Sequence, residues 1–254
     1  MSVQTGNKRK EDGATETIRV VIHALIIALV IRTFLFQPFN IPSGSMIPTL
    51  LVGDYLFVSK YSYGYSKYSL QLPYLPPFPL FSGRIWDSGP HRGDVVVFRL
   101  PRDPSIDYIK RVIGLPGDRI QMIDGVLNIN GTPVPRERVD DFINDDDTSV
   151  QRVKQLRETL PNGVKYNTLD LTDNGFYDNT PVYIVPPGDY FMMGDNRDNS
   201  TDSRVLSDVG YVPAENLIGR AQVIFFSIRG DAHAWEVWRW PWVVRWGRLF
   251  TLVR

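Results

Sequence analysis

The stretch IPSGSMIPTL, residues 41–50, places serine and glycine between two prolines and several apolar side chains. Pro42 and Pro48 restrict the backbone where the chain enters and leaves this stretch. Gly44 is expected to permit a backbone geometry that other residues reach only with strain. The pattern therefore predicts that the Ser45 hydroxyl is held at a fixed corner of the chain.

A serine acts as a nucleophile only when a base activates it, and this chain offers few bases. It has no cysteine and three histidines, which lie in an apolar run (His23), a Pro/Gly-rich loop (His91) and an aromatic tail (His233). A lysine in an apolar strand is the best remaining candidate, because desolvation lowers a lysine pKa toward neutrality. Residues 108–113, YIKRVI, supply Lys110. Taken alone, Lys110 is more simply explained as a strand lysine whose amine reaches solvent.

The composition limits the fold and the chemistry. The 254 residues are 43% hydrophobic, enough for one large or two modest domains, and many prolines, glycines and aromatics favour a mainly β fold. The formal net charge of zero gives no indication of a nucleic-acid partner. Three scattered histidines without cysteine are a poor ligand set for zinc. We therefore predict no metal and no cofactor.

Residues 18–36 form a mostly apolar run that extends roughly 28 Å as a helix, close to the thickness of a bilayer core. Arg19 and Arg32 lie near its ends, where long side chains reach the interface. A buried core helix would accommodate these arginines poorly. A cleaved signal peptide is a weaker alternative, because no small-x-small motif follows the run. The run predicts one transmembrane helix.

Residues 1–17 are predicted to be a disordered tail. Its basic cluster, residues 8–10, favours a cytoplasmic N-terminus and places the rest of the chain outside. Ser45 follows the apolar run by about nine residues, which span at most about 30 Å. The serine corner is therefore expected to lie near the membrane.

Six segments have the composition of strands or hairpins: residues 55–58, 94–100, 108–113, 119–131, 190–193 and 217–227. Alternation within 108–113 assigns Tyr108, Lys110 and Val112 to one face, and Ile109, Arg111 and Ile113 to the other. We predict an antiparallel β-sheet domain formed by residues 37–134 and 188–254. Residues 135–187 are predicted to be an inserted smaller lobe, with an acidic cluster at 145–147 and one short helix around 150–160.

Three further segments have two interpretations each. The Tyr/Pro-rich residues 61–90 either rest on the lipid interface or fold onto the domain. The loop 194–204, GDNRDNSTDSR, is either a solvated turn or the support of a site. Residues 235–254 contain five tryptophans and several arginines, which favours an interfacial segment, with packing onto the domain as the alternative.

Five motifs in this order resemble the conserved boxes of bacterial type I signal peptidases. They are SGSMIPTL at 43–50, GD at 53–54 with Lys60 and 63–64, RGDVVVF at 92–98, DYIKRVIGLPGD at 107–118, and the loop 194–204. The resemblance extends from about Gln37 to Arg204. It implies a membrane-anchored, mainly β endopeptidase that removes signal peptides from exported preproteins outside the cytoplasmic membrane. The implied partners are preproteins and membrane lipid, without nucleic acid.

The resemblance also implies roles for particular residues. Ser45 would be the nucleophile and Lys110 the general base, with Ser43 and the Ser45 backbone N–H forming the oxyanion hole. The supporting residues would be Ser200, Asp202, Arg204 and Arg111. The residues lining apolar pockets for small side chains one and three positions before the cut would be Phe39, Ile41, Pro42, Leu50, Tyr108 and Ile109.

Two departures from the family leave part of the chain unassigned. One span is evident, whereas some relatives have two. Residues 61–90, the acidic lobe and the Trp/Arg-rich tail match none of the five motifs. Two other functions stay open: a related Ser/Lys protease of the conjugation or self-cleaving type, and a non-catalytic membrane-anchored β adaptor.

Overall fold

A computed structural model describes residues 8–70, 82–144, 151–229, 232 and 235–254. The acidic cluster 145–147, His233 and the middle of the Tyr/Pro-rich stretch (71–81) lie outside the described residues. The α-helices are α1 (Lys8–Val30) and α2 (Trp240–Val243). Single turns of π- or 3-10 helix cover Ile31–Leu35, Gly44–Met46, Tyr61–Tyr63, Ala214–Asn216, Val237–Arg239 and Trp246–Arg248.

The strands, in chain order, are β1 (Phe36–Asn40), β2 (Asp54–Ser59), β3 (Tyr65–Ser66), β4 (Arg84–Ile85), β5 (Val95–Arg99), β6 (Asp107–Gly114), β7 (Arg119–Ile123), β8 (Val126–Ile129), β9 (Thr132–Pro133), β10 (Arg136–Arg138), β11 (Phe142–Asn144), β12 (Gln151–Thr159), β13 (Lys165–Asp170), β14 (Tyr183–Ile184), β15 (Asp189–Met193), β16 (Val212–Pro213), β17 (Leu217–Ser227) and β18 (Thr251–Leu252).

The main sheet has eight strands in the order β1-β2-β17-β5-β6-β15-β16, with β18 added to β17. The pairings along this path are antiparallel, so the prediction of a mainly antiparallel β fold is confirmed. β5 is almost wholly buried because its Val95-Val96-Val97-Phe98 run is apolar on both faces. β6 follows it and pairs with it from Asp107 to Arg111.

A smaller lobe is inserted between β6 and β15. It contains two four-stranded sheets, β14-β7-β8-β9 and a second one formed by β10 to β13. The predicted boundary at residue 135 is too late: β14 pairs with β7, so residues 119–133 belong with the insertion. The core of the lobe joins Ile120 and Leu127 to Tyr166, and continues into Phe191 of β15.

The predicted helix around 150–160 is wrong, because residues 151–159 form β12. Leu156, Glu158 and Leu160 are buried at every second position, which is the periodicity of a strand. Glu158 conceals this pattern in the sequence, because a carboxylate is not expected at a core position.

The N-terminal helix begins earlier than predicted. α1 starts at Lys8, so at least residues 8–17 are helical where a disordered tail was expected. Lys, Arg, Glu and Ala are good helix formers and extend the helix begun by the apolar run. Residues 13–35 form one helix long and apolar enough to cross a membrane, with a mean hydropathy of 2.2. Its apolar side chains are mostly exposed.

The domain binds the C-terminal end of this helical segment directly. β1 starts at Phe36, immediately after the π-helical turn that ends at Leu35. The Lys60 N–H donates to the Leu35 carbonyl (2.9 Å), Lys60 Nζ donates to the Arg32 carbonyl (3.2 Å), and the Tyr65 hydroxyl donates to the Phe34 carbonyl (2.9 Å).

The C-terminal segment packs onto the domain through its arginines and Trp240, which contacts Phe226, and leaves most of its other aromatic rings exposed. Arg248 donates to both carboxylate oxygens of Asp54, at 3.1 and 2.5 Å, and Arg245 donates to the Ile228 carbonyl at 2.8 Å. Trp235, Trp238, Trp242, Trp246 and Phe250 are each more than half exposed. Of the Tyr/Pro-rich stretch, the described flanks form the β3–β4 hairpin.

Candidate active site

Ser45 lies in a single 3-10 turn, Gly44–Met46, that follows extended backbone at Ser43. Its side chain is 8% exposed. The expectation for Gly44 is wrong, because its backbone does not enter the positive-φ region. A Cβ there would meet only the flexible Ile47 side chain at 3.1 Å. The serine corner is therefore an ordinary tight turn, and its position is fixed by neighbouring segments.

The amine of Lys110 reaches this serine from β6. Lys110 Nζ lies 2.6 Å from Ser45 Oγ, and also donates to the Ile109 carbonyl at 3.1 Å. Lys110 is 4% exposed. Burial lowers its pKa from 10.5 to about 8, even though the nearby Asp202 and Asp195 carboxylates act in the opposite direction. A substantial fraction of Lys110 is therefore neutral near physiological pH and able to accept a proton.

A second buried lysine has a similar pKa but different surroundings. Burial, assisted by Arg32 and Arg99, lowers the pKa of Lys60 to about 8. Its amine donates to a backbone carbonyl of the helical segment, that of Arg32. A lowered pKa therefore does not by itself identify a base; what distinguishes Lys110 from Lys60 is its contact with a serine hydroxyl.

The loop 194–204 packs directly against the serine corner. The Asn196 N–H donates to the Ser45 carbonyl and its side-chain amide donates to the Gly44 carbonyl, both at 3.1 Å. Gly194 makes this approach possible: a Cβ at this position would lie 2.5 Å from the Ser45 carbonyl oxygen and 2.2 Å from Ser200 Oγ. Neither Gly194 nor Asn196 was singled out from the sequence, because their contacts are with residues about 150 positions earlier.

The predicted supporting residues occupy two different places. Ser200 is buried beside the serine corner; its hydroxyl has no well-formed hydrogen bond among the described residues, but it lies close enough to the Asp202 carboxylate to help lower the pKa of that group. Asp202 accepts two hydrogen bonds from the Arg204 guanidinium, at 2.9 and 2.8 Å, and one from the Gly194 N–H at 3.0 Å. This arginine is the main factor that lowers the Asp202 pKa against the opposing effect of burial. The pair is therefore charged.

Arg111 lies on the opposite face of β6 from Lys110, as alternation predicted. Its guanidinium is fully buried and donates to Asp195 at 2.8 and 2.6 Å. It also donates to the Gly93 carbonyl at 2.7 Å. Arg111 therefore holds the base of the 194–204 loop against β6 and does not line the cleft beside Ser45.

A further buried ion pair joins the loop to the inserted lobe. Arg197 donates to both carboxylate oxygens of Glu158 on β12, at 2.7 and 2.6 Å, and the Tyr166 hydroxyl donates to the same carboxylate at 2.6 Å. The Leu169 N–H on β13 donates to the Asp195 carbonyl at 2.9 Å. The lobe thus supports the loop that supports Ser45.

An open cleft of about 710 Å³ is lined in part by Ser45 and Lys110. Five of the six predicted pocket residues line it: Phe39, Ile41, Pro42, Tyr108 and Ile109. Leu50 does not, because it is fully buried in the core next to Leu56 and Val58. Ser43, Ser45, Lys110 and Ser200 also line the cleft. Tyr177 lines it from the inserted lobe, and the sequence gave no indication of that position.

The comparison with protein families agrees with the motif order. A family model described as "Signal peptidase, peptidase S26" matches residues 14–226. The chain belongs to this family. Signal peptidase I of Rickettsia typhi is 50% identical over 211 residues, 81% of this chain and 77% of the relative, and that of Rickettsia conorii is 49% identical over the same shares. The chain is therefore a serine endopeptidase of the signal peptidase I type.

One solved structure completes these comparisons. A signal peptidase I crystal structure from Enterococcus faecalis is 26% identical, with a TM-score of 0.31, and the match covers 52% of this chain and 97% of that one. At this TM-score the match adds nothing to the fold, which is described above from the chain's own strand pairings.

Gly194→Ala is expected to reduce kcat for preprotein cleavage by about 100-fold or more, because displacement of catalytic groups by about 1 Å has effects of that size. The added methyl group must displace Ser200 or the Ser45 backbone. Steady-state kinetics on a purified preprotein measures the loss. Gly247→Ala is the matched control, since a Cβ there meets nothing within 4 Å. Equal activity of the two variants would contradict the tight-approach role of Gly194.

Proposed function

We propose that the chain removes N-terminal signal peptides from exported preproteins by cutting after a segment with small residues one and three positions before the bond. Ser45 is the nucleophile and Lys110 the general base. The observation that carries the proposal is the distance of 2.6 Å between Lys110 Nζ and Ser45 Oγ, together with the burial of the Lys110 amine. Desolvation disfavours the charged form of this lysine, so its amine can accept the proton of the serine hydroxyl that it contacts.

The reaction follows from this geometry. Neutral Lys110 accepts the Ser45 proton while the serine oxygen attacks the scissile carbonyl. The Ser45 backbone N–H and the Ser43 hydroxyl stabilise the resulting oxyanion, and each such donor contributes about 10²–10³ in rate. The Lys110 ammonium then protonates the leaving amine of the mature protein. Water attacks the acyl-enzyme with Lys110 again as base, which releases the signal peptide and restores Ser45.

Asp202 and Ser200 complete the surroundings of the amine. The charged Asp202 carboxylate favours the Lys110 ammonium that forms during the reaction. The buried Ser200 hydroxyl lies near the Asp202 carboxylate without a well-formed hydrogen bond to it, so it can still bond to the amine. We assign it the orientation of the lysine amine once substrate closes the cleft.

Two sheet edges offer the signal peptide backbone a place to bind. β15 pairs with β6 only from Arg111 to Gly114, so residues 107–110 pair with β5 alone among the described strands. β1 is the terminal strand of the sheet. Phe39 of β1 and Ile109 of β6 line the same cleft, so the sheet curls to bring these edges near each other. An extended peptide inserted here as an added strand presents alternate side chains to the apolar wall.

The membrane is the proposed location of this reaction. The exposed apolar helix of residues 13–35 serves as the anchor. The exposed tryptophans of the C-terminal segment suit the lipid interface, where amphipathic rings are favoured. The basic residues before the helix favour a cytoplasmic N-terminus and a catalytic domain on the extracytoplasmic side. Nothing in the overall charge indicates a nucleic-acid partner.

Ser45→Ala and Lys110→Met are each expected to reduce preprotein cleavage in detergent by at least about 10³-fold, because the nucleophile and its base act as one unit. Gel analysis of precursor and mature bands measures the rate. Lys60→Met is the matched control, since it removes a buried lysine of similar pKa that does not contact the serine. If either dyad variant cleaved at the wild-type rate, the assignment would be lost and a non-catalytic adaptor would be favoured.

The pH dependence of kcat/KM should report the Lys110 pKa of about 8. Because the neutral amine is the active form, kcat/KM is expected to rise about tenfold per pH unit below this pKa and to level off above it. Lys60→Met should keep this profile, although Lys60 has the same lowered pKa. A profile that is flat between about pH 6 and 9, or one that disappears in Lys60→Met, would exclude Lys110 as the base.

A phosphatase reporter fused after Arg254, which is active only outside the cytoplasm, tests the orientation. We expect activity, because the basic residues 8–10 at the start of α1 stay in the cytoplasm. Substituting residues 8–10 with glutamate serves as the comparison and should reduce it. Full activity of a reporter that functions only in the cytoplasm would overturn the proposed topology.

A further inference from the structure

The residues that line the cleft around Ser45 fall into two groups of different composition and origin, which we call its two walls. The first wall is apolar and contains Phe39, Ile41, Ile106 and Tyr108. The second wall comes from the inserted lobe and the 194–204 loop and contains Tyr177, Asp198, Asn199 and Thr201. The mechanism described above uses the first wall and leaves the second without a role.

Tyr177 reaches the second wall from the inserted lobe. It lies in the segment 171–182 between β13 and β14, far from the serine corner in sequence. Its ring packs against the guanidinium of Arg204, with Cζ 5.1 Å from the ring centroid. Arg204 itself is buried and fixed by Asp202. The ring therefore packs against the charged Asp202–Arg204 pair of the 194–204 loop.

The segment that contains Tyr177 contacts the 194–204 loop at several points. The Asp198 carboxylate accepts hydrogen bonds from the N–H groups of Leu171 and Thr172, at 2.7 and 3.0 Å. Gly175 allows the closest approach, since a Cβ there would lie 2.4 Å from Asp198 Oδ1. The Asp178 carboxylate accepts a hydrogen bond from the Gly175 N–H at 2.7 Å. These contacts hold the segment in one position relative to Ser45.

The position of Tyr177 relative to the cut follows from the two walls. This step rests on the proposed function, which places the residues before the scissile bond on the apolar wall. A peptide whose carbonyl carbon meets Ser45 Oγ must continue past it, and the second wall is the part of the cleft lining that the residues before the bond leave unused. We propose that Tyr177 is a specificity-determining residue that contacts the first residue of the mature protein.

The ring gives this contact a defined preference. A tyrosine presents an apolar face with a polar tip, and it can bind a bulky apolar side chain in contact with that face. The wild type is therefore expected to cleave a preprotein with Leu at the first mature position faster than one with Gly. In this proposal, the inserted lobe contacts the part of the substrate that follows the scissile bond.

The experiment uses the full chain in detergent and a preprotein series that differs only at the first mature residue (Gly, Ala, Leu, Trp or Asp). In Tyr177→Ala, the ratio of kcat/KM for Leu over Gly is expected to fall by about 10-fold, the size of effect given by one lost apolar contact. Tyr177→Phe should keep the ratio. A second series that varies the residue immediately before the cut should respond equally in all variants.

Ile184→Ala, and not Phe176→Ala, is the matched control, because the Phe176 ring packs edge-on against the Tyr177 ring and its removal would disturb Tyr177 itself. Ile184 is an exposed apolar residue of the same lobe, and it does not line the cleft as the described residues define it. Its substitution should leave the Leu-to-Gly ratio unchanged. Thermal unfolding of each variant, together with the ring-preserving Tyr177→Phe, separates a local contact from a folding defect.

Three results would overturn the inference: an unchanged ratio in Tyr177→Ala, a loss by the same factor for every substrate, or a ratio that increases. The second result would mean that the ring only supports Arg204, and the third that it excludes bulky residues. Cleavage by the wild type but not by Ser45→Ala tests the proposed function separately, whereas the ratio in Tyr177→Ala tests only the contact of Tyr177.

Discussion

Burial of the Lys110 amine against the Ser45 hydroxyl is the interaction on which the arrangement of this protein depends. An amine exposed to water would be charged at neutral pH and could accept no proton. Removing it from water lowers its pKa to about 8. The fold must therefore shield the Lys110 amine from water and hold it close to Ser45, while the cleft stays accessible to a peptide.

The surrounding charges are organised so that they do not cancel this effect. Asp202, Asp195 and Glu158 are buried carboxylates, and each is paired through two contacts with its own arginine. Removing one partner of such a pair typically costs about 3–5 kcal/mol, because it leaves an uncompensated buried charge. These pairs are therefore strong geometric constraints. They link β6, the 194–204 loop and the inserted lobe into one support for the serine corner.

The local elements were predictable from the sequence where a short pattern decides them. The alternation in residues 108–113 assigned Lys110 and Arg111 to opposite faces, and the segment 119–131, predicted to form strands or hairpins, forms the β7–β8 hairpin and leads into β9. β12 was missed because its buried Glu158 is stabilised by Arg197, 39 residues away. The lobe boundary was missed because β14 pairs with the distant β7.

The same distinction applies to the site. That Ser45 and Lys110, 65 residues apart, lie in contact was expected from the resemblance to a family and from no periodicity in the chain. The prediction that Gly44 has a special conformational role was wrong, because Gly44 adopts ordinary backbone angles. The glycine that matters is Gly194, which allows the serine corner to approach the 194–204 loop within contact distance. Leu50 was assigned to a pocket, yet tertiary packing places it in the core. Close approach between distant segments is a property of the folded chain and leaves no local pattern.

The direct passage from the apolar helix into β1 has a mechanical consequence. Lys60 and Tyr65 bind carbonyl groups in the last turn of that helical segment, and no linker separates Leu35 from Phe36. The helix is therefore held in a fixed orientation relative to the sheet, because no flexible linker separates them and hydrogen bonds join them. A bilayer that surrounds the helix would therefore also set the height and tilt of the cleft above the membrane surface. Membrane thickness would then influence which peptide bond of an emerging polypeptide reaches Ser45.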